Sequence, residues 1–510
     1  MPEGLTRHLF LERLPFLFLV GAYRALRCQL FLLRNDRARA FSVSRLGRIS
    51  IASILCAALL LLAHPPSGAT LGGQVCEKTL ANGMKALLVE NHKAPLVVLQ
   101  VWYRVGSRNE QWGSTGLSHL LEHMMFKGTE RVGPEEFSRI VQENGGTSNA
   151  FTTKDYTVYF ETLSSDRIEV ALALEADRME HLVFDPEGFK TERMVVMEER
   201  RLRTEDNPQS CLLEQVEATA FQTHPYHWPV IGWMEDIKGL SLDDLKAHYS
   251  EYYHPANAFL VAVGDFDTAE LARRIESLFG SIRPRKVPRQ ERAPEPEQQG
   301  ERRVVLEREA ELPFLVVGYR VPNLASSQDG YVLDVLASLL AGGKSSRLYR
   351  SLVQDRRLLL DVDVDYSLTS KDPGLFIVSA ELLPDASIEE VQEMLDREIE
   401  GLKREAVHPG ELERAQHQLE ASFVFGQDSL FYQGMLLGEF EIAMGWRYVD
   451  EYVPSIQKVT PADIVRVAGR YLSPERRTIG VLRPLPKRSS VTAAAADKGM
   501  TRSRDRVHWR

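Results

Sequence analysis

The chain has 510 residues, 44% hydrophobic and 26% charged, with four cysteines. That is globular usage for two or three domains, and it excludes a disordered chain, a collagen, a polytopic membrane protein and a disulfide scaffold. The net charge of −9 is uneven: residues 1–69 hold nine basic side chains against three acidic and residues 486–510 seven against two, so the body between them stands at −20. An acidic body argues against nucleic acid, whose affinity rests on phosphate neutralisation, and suits a basic partner.

In chain order, residues 44–48 are basic, 49–63 are an uncharged run of 15, and Pro65-Pro66-Ser67-Gly68-Ala69 follows. A basic stretch, a short apolar core and a small-x-small site make a secretory signal, with cleavage expected after Ala69 and export to the periplasm or beyond. The run is shorter than the roughly 20 residues of a spanning helix; a membrane anchor through 49–63 is the alternative. Cys56 follows the large Leu55 and makes a poor lipidation site. Residues 1–43 have no place in such a signal, which fits a translation start downstream of Met1. Strands are expected over 86–90, 97–104 and 156–163, a helix over 168–182, then a strand over 259–264 and an amphipathic helix over 268–279. Residues 284–300 hold four prolines and almost nothing apolar, a linker composition. Beyond it, strands at 315–320 and 375–380 precede a helix over 387–402. Strand-then-helix on both sides of the linker points to a duplicated α+β unit. The expected organisation is a targeting segment 1–69, a domain 70–283, the linker 284–300, a second domain 301–485 and a disordered tail 486–510.

Residues 116–128 (GLSHLLEHMMFKG) read as a helix, with Ser114 or Thr115 to cap its start and Gly128 to end it. At 100° per residue His119, Glu122 and His123 fall within one arc. Two imidazoles one turn apart can reach one ion, and Glu122 beside them can take a proton from water. The bland alternative is an exposed polar stripe. The order His-x-x-Glu-His is that of the inverzincins, and zinc fits two imidazoles plus a carboxylate. A third ligand is needed. The helix expected over 186–204 offers Glu192, Glu198 and Glu199; Glu192 and Glu199 share a face and Glu198 points away. That face presents one carboxylate for a metal and one to hold a neighbouring group, unless it is an acidic solvated face. His224 and His227 fit the wall of a cleft better than a second metal site. His181 reads as structural, and Cys76 and Cys211 could pair in an oxidising compartment.

On these residues the chain resembles the pitrilysin/insulinase family of zinc peptidases, and within it the processing-peptidase β-subunit type. The family places a Glu about 75 residues beyond His-x-x-Glu-His; 75 residues separate His123 from Glu199. Further shared stretches are GGTSNAFT at 145–152, DYT at 155–157, PYHWPVIG at 225–232, YHPANA at 253–258 and GGKSSRLY at 342–349. The resemblance implies two homologous α/β-sandwich halves of antiparallel-rich sheet and helices, facing each other across a cleft. It implies one zinc on His119, His123 and Glu199, Glu122 as general base and Glu192 as a supporting carboxylate needed for activity. Ser148, Asn149, Ala150 and Phe151 would form an edge strand that pairs with an extended or unfolded peptide substrate. The activity implied is zinc endopeptidase; a catalytically silent scaffold of the same fold and a metal-binding module without hydrolysis are the competing readings.

One departure stands out. Family members that act alone carry an Arg and, seven residues on, a Tyr that grip the substrate in the second half. Val353 and Leu360 stand there instead, and Arg347 and Tyr349 read as part of a structural turn. The second half also lacks His-x-x-Glu-His. A related second subunit supplying the Arg/Tyr clamp is therefore expected.

Overall fold

The computed structural model describes residues 70–288 and 294–485. The expected export segment, the centre of the expected linker and the expected tail lie outside the described residues. No described helix is long and apolar enough to cross a membrane.

Two mixed sheets organise the chain. The first contains β1 (Val75–Thr79), β2 (Lys85–Glu90), β3 (Leu96–Tyr103), β4 (Thr147–Thr152), β5 (Thr157–Ser164) and β6 (Ala258–Gly264) in the order β1-β2-β6-β3-β5-β4. The second contains β7 (Arg302–Glu309), β8 (Phe314–Val321), β9 (Leu359–Tyr366), β10 (Gly374–Leu382) and β11 (Arg477–Leu485) in the order β7-β11-β8-β10-β9. Each sheet has one parallel pair, β2 with β6 and β7 with β11, and is otherwise antiparallel. Without β1 the two orders are the same, so the duplication is real. Its register differs from the sequence reading. By position in the sheet, β6 answers to β11 and β5 to β10, so the strands at 259–264 and 375–380 are not equivalents. Strand-then-helix occurs twice in the first half, and pattern alone could not choose between the occurrences.

The first half carries helices α1 (Leu117–Met124), α2 (Glu136–Glu143), α3 (Ile168–His181), α4 (Pro186–Arg200), α5 (Pro208–Ala220), α6 (Met234–Gly239), α7 (Leu242–Tyr252) and α8 (Thr268–Phe279). The second carries α9 (Asp329–Ala341), α10 (Ile388–Arg404), α11 (Pro409–Gly426), α12 (Leu430–Ala443), α13 (Tyr452–Gln457) and α14 (Pro461–Tyr471). Strand β3 alternates. Val97, Leu99, Val101 and Tyr103 face a core with Leu120, Leu121, Leu172, Leu245 and Ile275 of α1, α3, α7 and α8. Trp102 joins a different core, shared with Leu437 and Phe440 of α12. Conversely, Leu212 and Val216 of α5 pack with Val316 and Leu482 of the second sheet. Each half lends a helix to the other's sheet, and the largest core draws on residues from both sides of 284–300. α12 is apolar almost all round because it is covered on all sides.

The described part of the proline-rich stretch is docked. Glu295 accepts the N–H groups of Gln222, Thr223 and His224 at 2.9, 2.8 and 2.9 Å, and Gln298 is buried with its amide donating to the Arg477 carbonyl at 2.7 Å. Cys76 lies exposed in β1 and Cys211 buried in α5, and both are free thiols; the pairing considered from sequence is not made. β1 is an edge of the first sheet, whereas α5 sits on the second.

Gly438 is the tightest seat of α12: a Cβ there would lie 2.1 Å from the Trp102 ring, which is fully buried. Overpacking of this kind costs about 1–3 kcal/mol. Gly438→Ala is therefore expected to lower the unfolding free energy by that amount, while a Gly469→Ala control, inside α14 with open space around its Cβ, leaves it unchanged or raises it by up to about 1 kcal/mol.

Candidate metal and peptidase site

α1 begins at Gly116, whose φ of +92° is a left-handed conformation. A side chain there would also lie 2.6 Å from the Ile231 carbonyl. Neither Ser114 nor Thr115 caps the helix. Thr115 Oγ1 instead donates to Asp236 at 2.6 Å and accepts the Trp233 N–H at 2.9 Å. The orphan N–H groups of Gly116 and Ser118 are taken by the buried carboxylate of Glu110, both at 2.7 Å. Burial pushes Glu110 up to about 8, outweighing these bonds and the helix dipole, which favour its charged form. The helix ends at Met124, before Gly128, which turns the chain beyond it at φ +105°.

α4 starts on an Asp185 cap that accepts the Gly188 N–H at 2.6 Å, with Pro186 in its first turn. This start turns Glu192 and Glu199 towards α1. Glu199 Oε2 lies 3.4 Å from His123 Nε2 and 3.7 Å from His119 Nε2. Ligand atoms about 2.0–2.1 Å from a tetrahedral zinc stand roughly 3.3–3.4 Å apart. Among the described residues, His119, His123 and Glu199 are the one such group of three, their ligand atoms within 4.8 Å of one another. Glu192 meets the other ring nitrogen of His123, Nδ1, at 3.2 Å and is itself held by Lys127 at 2.7 Å. Glu198 points outward and pairs with Arg201 at 3.0 Å. The α-helix stops at Arg200, and a π-turn over Arg201–Glu205 replaces the last turn expected to 204.

The electrostatics are those of a cation site. Burial, reinforced by the neighbouring His123 charge, pushes His119 down to about 3, so its ring is neutral. Burial would also lower His123, but hydrogen bonds to Glu192 and Glu199 outweigh it and raise it to about 10. Burial opposes ionisation of Glu199 as well; the His123 hydrogen bond and the cationic His123 and Arg203 beside it win, and it falls to about 2. Glu192 is lowered by His123 and Lys127 against its burial. Without a metal, the proton on His123 balances these carboxylates. A metal ligand must be a neutral imidazole, so metal uptake here would release a proton. Glu122 is raised by burial, against His123 and a hydrogen bond from Thr152 Oγ1 at 2.5 Å.

Ser148, Asn149, Ala150 and Phe151 lie in β4, which pairs with β5 alone and forms an edge of the first sheet. β4 carries no charged residue to blunt that edge. His224 pairs with Asp372 at 2.9 Å in a seam where Arg108 meets both Asp155 and Asp372. His227 is buried against Trp112, with ring centroids 4.6 Å apart. Arg347 is committed to a two-pronged pair with Glu411 at 2.6 and 2.9 Å. Val353 is half-buried against the second-half core, and Leu360 is exposed on β9. Four contacts escaped the sequence reading: Glu110, Lys127, Thr152, and Arg203, which meets Glu199 at 2.7 Å. Lys127 and Arg203 each stand four residues beyond His123 and Glu199, a helical spacing that could have flagged them; nothing local marks Glu110.

A family model described as Insulinase (Peptidase family M16) matches residues 85–232, and one described as Peptidase M16 inactive domain matches residues 239–419. The zinc protease PqqE of Helicobacter pylori (strain ATCC 700392 / 26695) is 32% identical over 87% of this chain and 99% of its own length. The uncharacterized zinc protease YmxG of Bacillus subtilis (strain 168) is 27% identical over 80% and 97%. Among solved structures, a protease from Helicobacter pylori matches with a TM-score of 0.78 at 32% identity, covering 80% of this chain and 99% of that one. An M16-like peptidase from Alicyclobacillus acidocaldarius shares the fold alone, with a TM-score of 0.72 at 18% identity over 81% and 98%. Two models that together span most of the chain, and a relative aligned over nearly its whole length, make this protein a member of peptidase family M16, the insulinase/pitrilysin family.

Proposed function

We propose that the protein is a zinc endopeptidase acting on extended or unfolded polypeptide segments. The observation that carries the reading is the convergence of His119, His123 and Glu199, their ligand atoms within 4.8 Å of one another and Glu199 Oε2 3.4 and 3.7 Å from the two imidazoles, with Glu122 one position from His123. The donor set of two imidazoles and one carboxylate is that of catalytic zinc sites, which keep a fourth position open. Zinc held there would polarise the scissile carbonyl and bring the pKa of water towards about 7. The chain's own residues supply the rest. Glu122 accepts the proton of the attacking water and passes it to the leaving amine. Glu192, steadied by Lys127, fixes the His123 ring through Nδ1. The uncharged edge of β4 offers backbone groups along Ser148–Phe151 to an extended substrate, a mode that reads main chain more than side chain.

The second half contributes no evident grip. Val353 and Leu360 have no side-chain donor, and Arg347 is held by Glu411. A related chain bearing an Arg/Tyr pair is therefore proposed to complete the site, because holding a carbonyl in place can supply several kcal/mol of a barrier.

Three outcomes are expected. Glu199→Gln loses stoichiometric zinc while Glu198→Gln keeps it; retention in the first, measured by elemental analysis, would overturn the ligand assignment. Glu122→Gln retains zinc but loses about 10²–10⁴-fold in turnover of a quenched fluorescent peptide. Zinc binding without cleavage by wild type, alone or with a partner, would mark a metal-binding module instead. The chain alone cleaves an unstructured basic peptide poorly, and the chain co-expressed with its related partner cleaves it well; full activity from a monodisperse single chain would sink the two-subunit reading.

A further inference from the structure

We propose that Thr152 is a positioning residue for Glu122, acting through its hydroxyl; this rests on the peptidase reading given above. Thr152 is the last residue of β4, 8% exposed, and its Oγ1 lies 2.5 Å from Glu122 Oε2. It is the one hydrogen bond made by the Glu122 carboxylate among the described residues. The direction of the bond follows from counting protons. Thr157 Oγ1, 3.3 Å from Thr152 Oγ1, has its own acceptor in the Val105 carbonyl at 2.9 Å. An ionised carboxylate can only accept. The Thr152 proton is therefore free to be spent on Glu122, and the bond has the short length of a charge-assisted hydroxyl–carboxylate contact.

The hydroxyl is held at a fixed place. Thr152 pairs with Thr157 across the β4–β5 ladder, and the turn beyond closes with Thr153 N–H on the Tyr156 carbonyl at 2.8 Å. That turn is pinned from outside by Ser107 and Arg108, whose N–H groups reach the Thr153 and Lys154 carbonyls at 3.1 and 2.9 Å. A carboxylate on a stem of three rotatable bonds would otherwise sample several rotamers. Fixing Oε2 from the sheet leaves Oε1 for the proton transfer, and links the base to the same strand that is proposed to pair with substrate.

The test compares wild type with Thr152→Val and Thr152→Ser, in whichever form, single chain or co-expressed pair, is active. Valine keeps the shape and the strand preference and removes only the hydroxyl. Supporting side-chain contacts of this kind are worth about 10–100-fold in activity. Thr152→Val is expected to lower kcat by that factor with KM within twofold, one zinc per chain and an unchanged melting temperature. Thr152→Ser is expected to return kcat to within a few-fold of wild type. In zinc-free crystals the Glu122 carboxylate keeps its place in wild type and in Thr152→Ser and leaves it in Thr152→Val. Unchanged kcat in Thr152→Val overturns the proposal. So does a rise in KM or a loss of zinc that accounts for the whole effect, or a serine variant as impaired as the valine one. Absence of any cleavage by wild type would refute the peptidase reading separately, and the position of Glu122 in the crystals would then decide this proposal by itself.

Discussion

Two carboxylates of α4 are buried against the imidazoles of α1, and the site depends on that pairing. Glu192 is 6% exposed. Charges at such depth persist only when each has a partner, because desolvation is not otherwise recovered. His123 answers both carboxylates, one at each ring nitrogen, which fixes its ring plane and leaves Nε2 aimed at the point shared with His119 and Glu199. A proton and a metal ion compete for that nitrogen, because His123 must be neutral to ligate.

Everything around that pairing keeps two helices in register. α1 is held at its start by Glu110 and by the close approach of Gly116 to the 231–232 turn, not by a capping hydroxyl. α4 is held by its Asp185 cap and by Arg200, which forks onto Glu214 of α5 at 2.9 Å twice. α5 in turn packs on the second sheet, and α12 returns from the second half to cover the first. The crossed helices make the two halves one packed body, so the geometry at α1 is coupled mechanically to the second sheet through α4 and α5. A peptidase that must hold ligand atoms within a few tenths of an ångström gains from such a frame.

The same frame explains why Glu122, the proposed base, and the edge strand meet. β4 ends where Thr152 touches Glu122, and the turn after β4 is tied to Arg108, Tyr226 and the 370–372 loop. The substrate-pairing edge proposed here therefore starts at the base and runs away from it, which fits backbone recognition of an extended chain better than a closed pocket.

The family, the duplicated α+β class and the candidate ligand residues could be read from the chain alone, because they rest on local order. His119 and His123 are one helical turn apart whatever the fold does, and the 75-residue gap to Glu199 is a count along the chain. The strands at β2, β3, β6, β8 and β10 were legible because buried strands need apolar, β-branched runs. Contacts between residues far apart in sequence could not be read from the chain alone. The cap of α1 came from Glu110 and not from Ser114 or Thr115, since the competing Asp236 and Trp233 are brought in by a loop more than a hundred residues on. The register of the repeat, the exchange of α5 and α12 between sheets, the docking of Glu295 and the separation of Cys76 from Cys211 are of the same kind. So is the bond from Thr152 to Glu122: the two stand 30 positions apart, and only the pairing of β4 with β5 beneath α1 places one hydroxyl against one carboxylate.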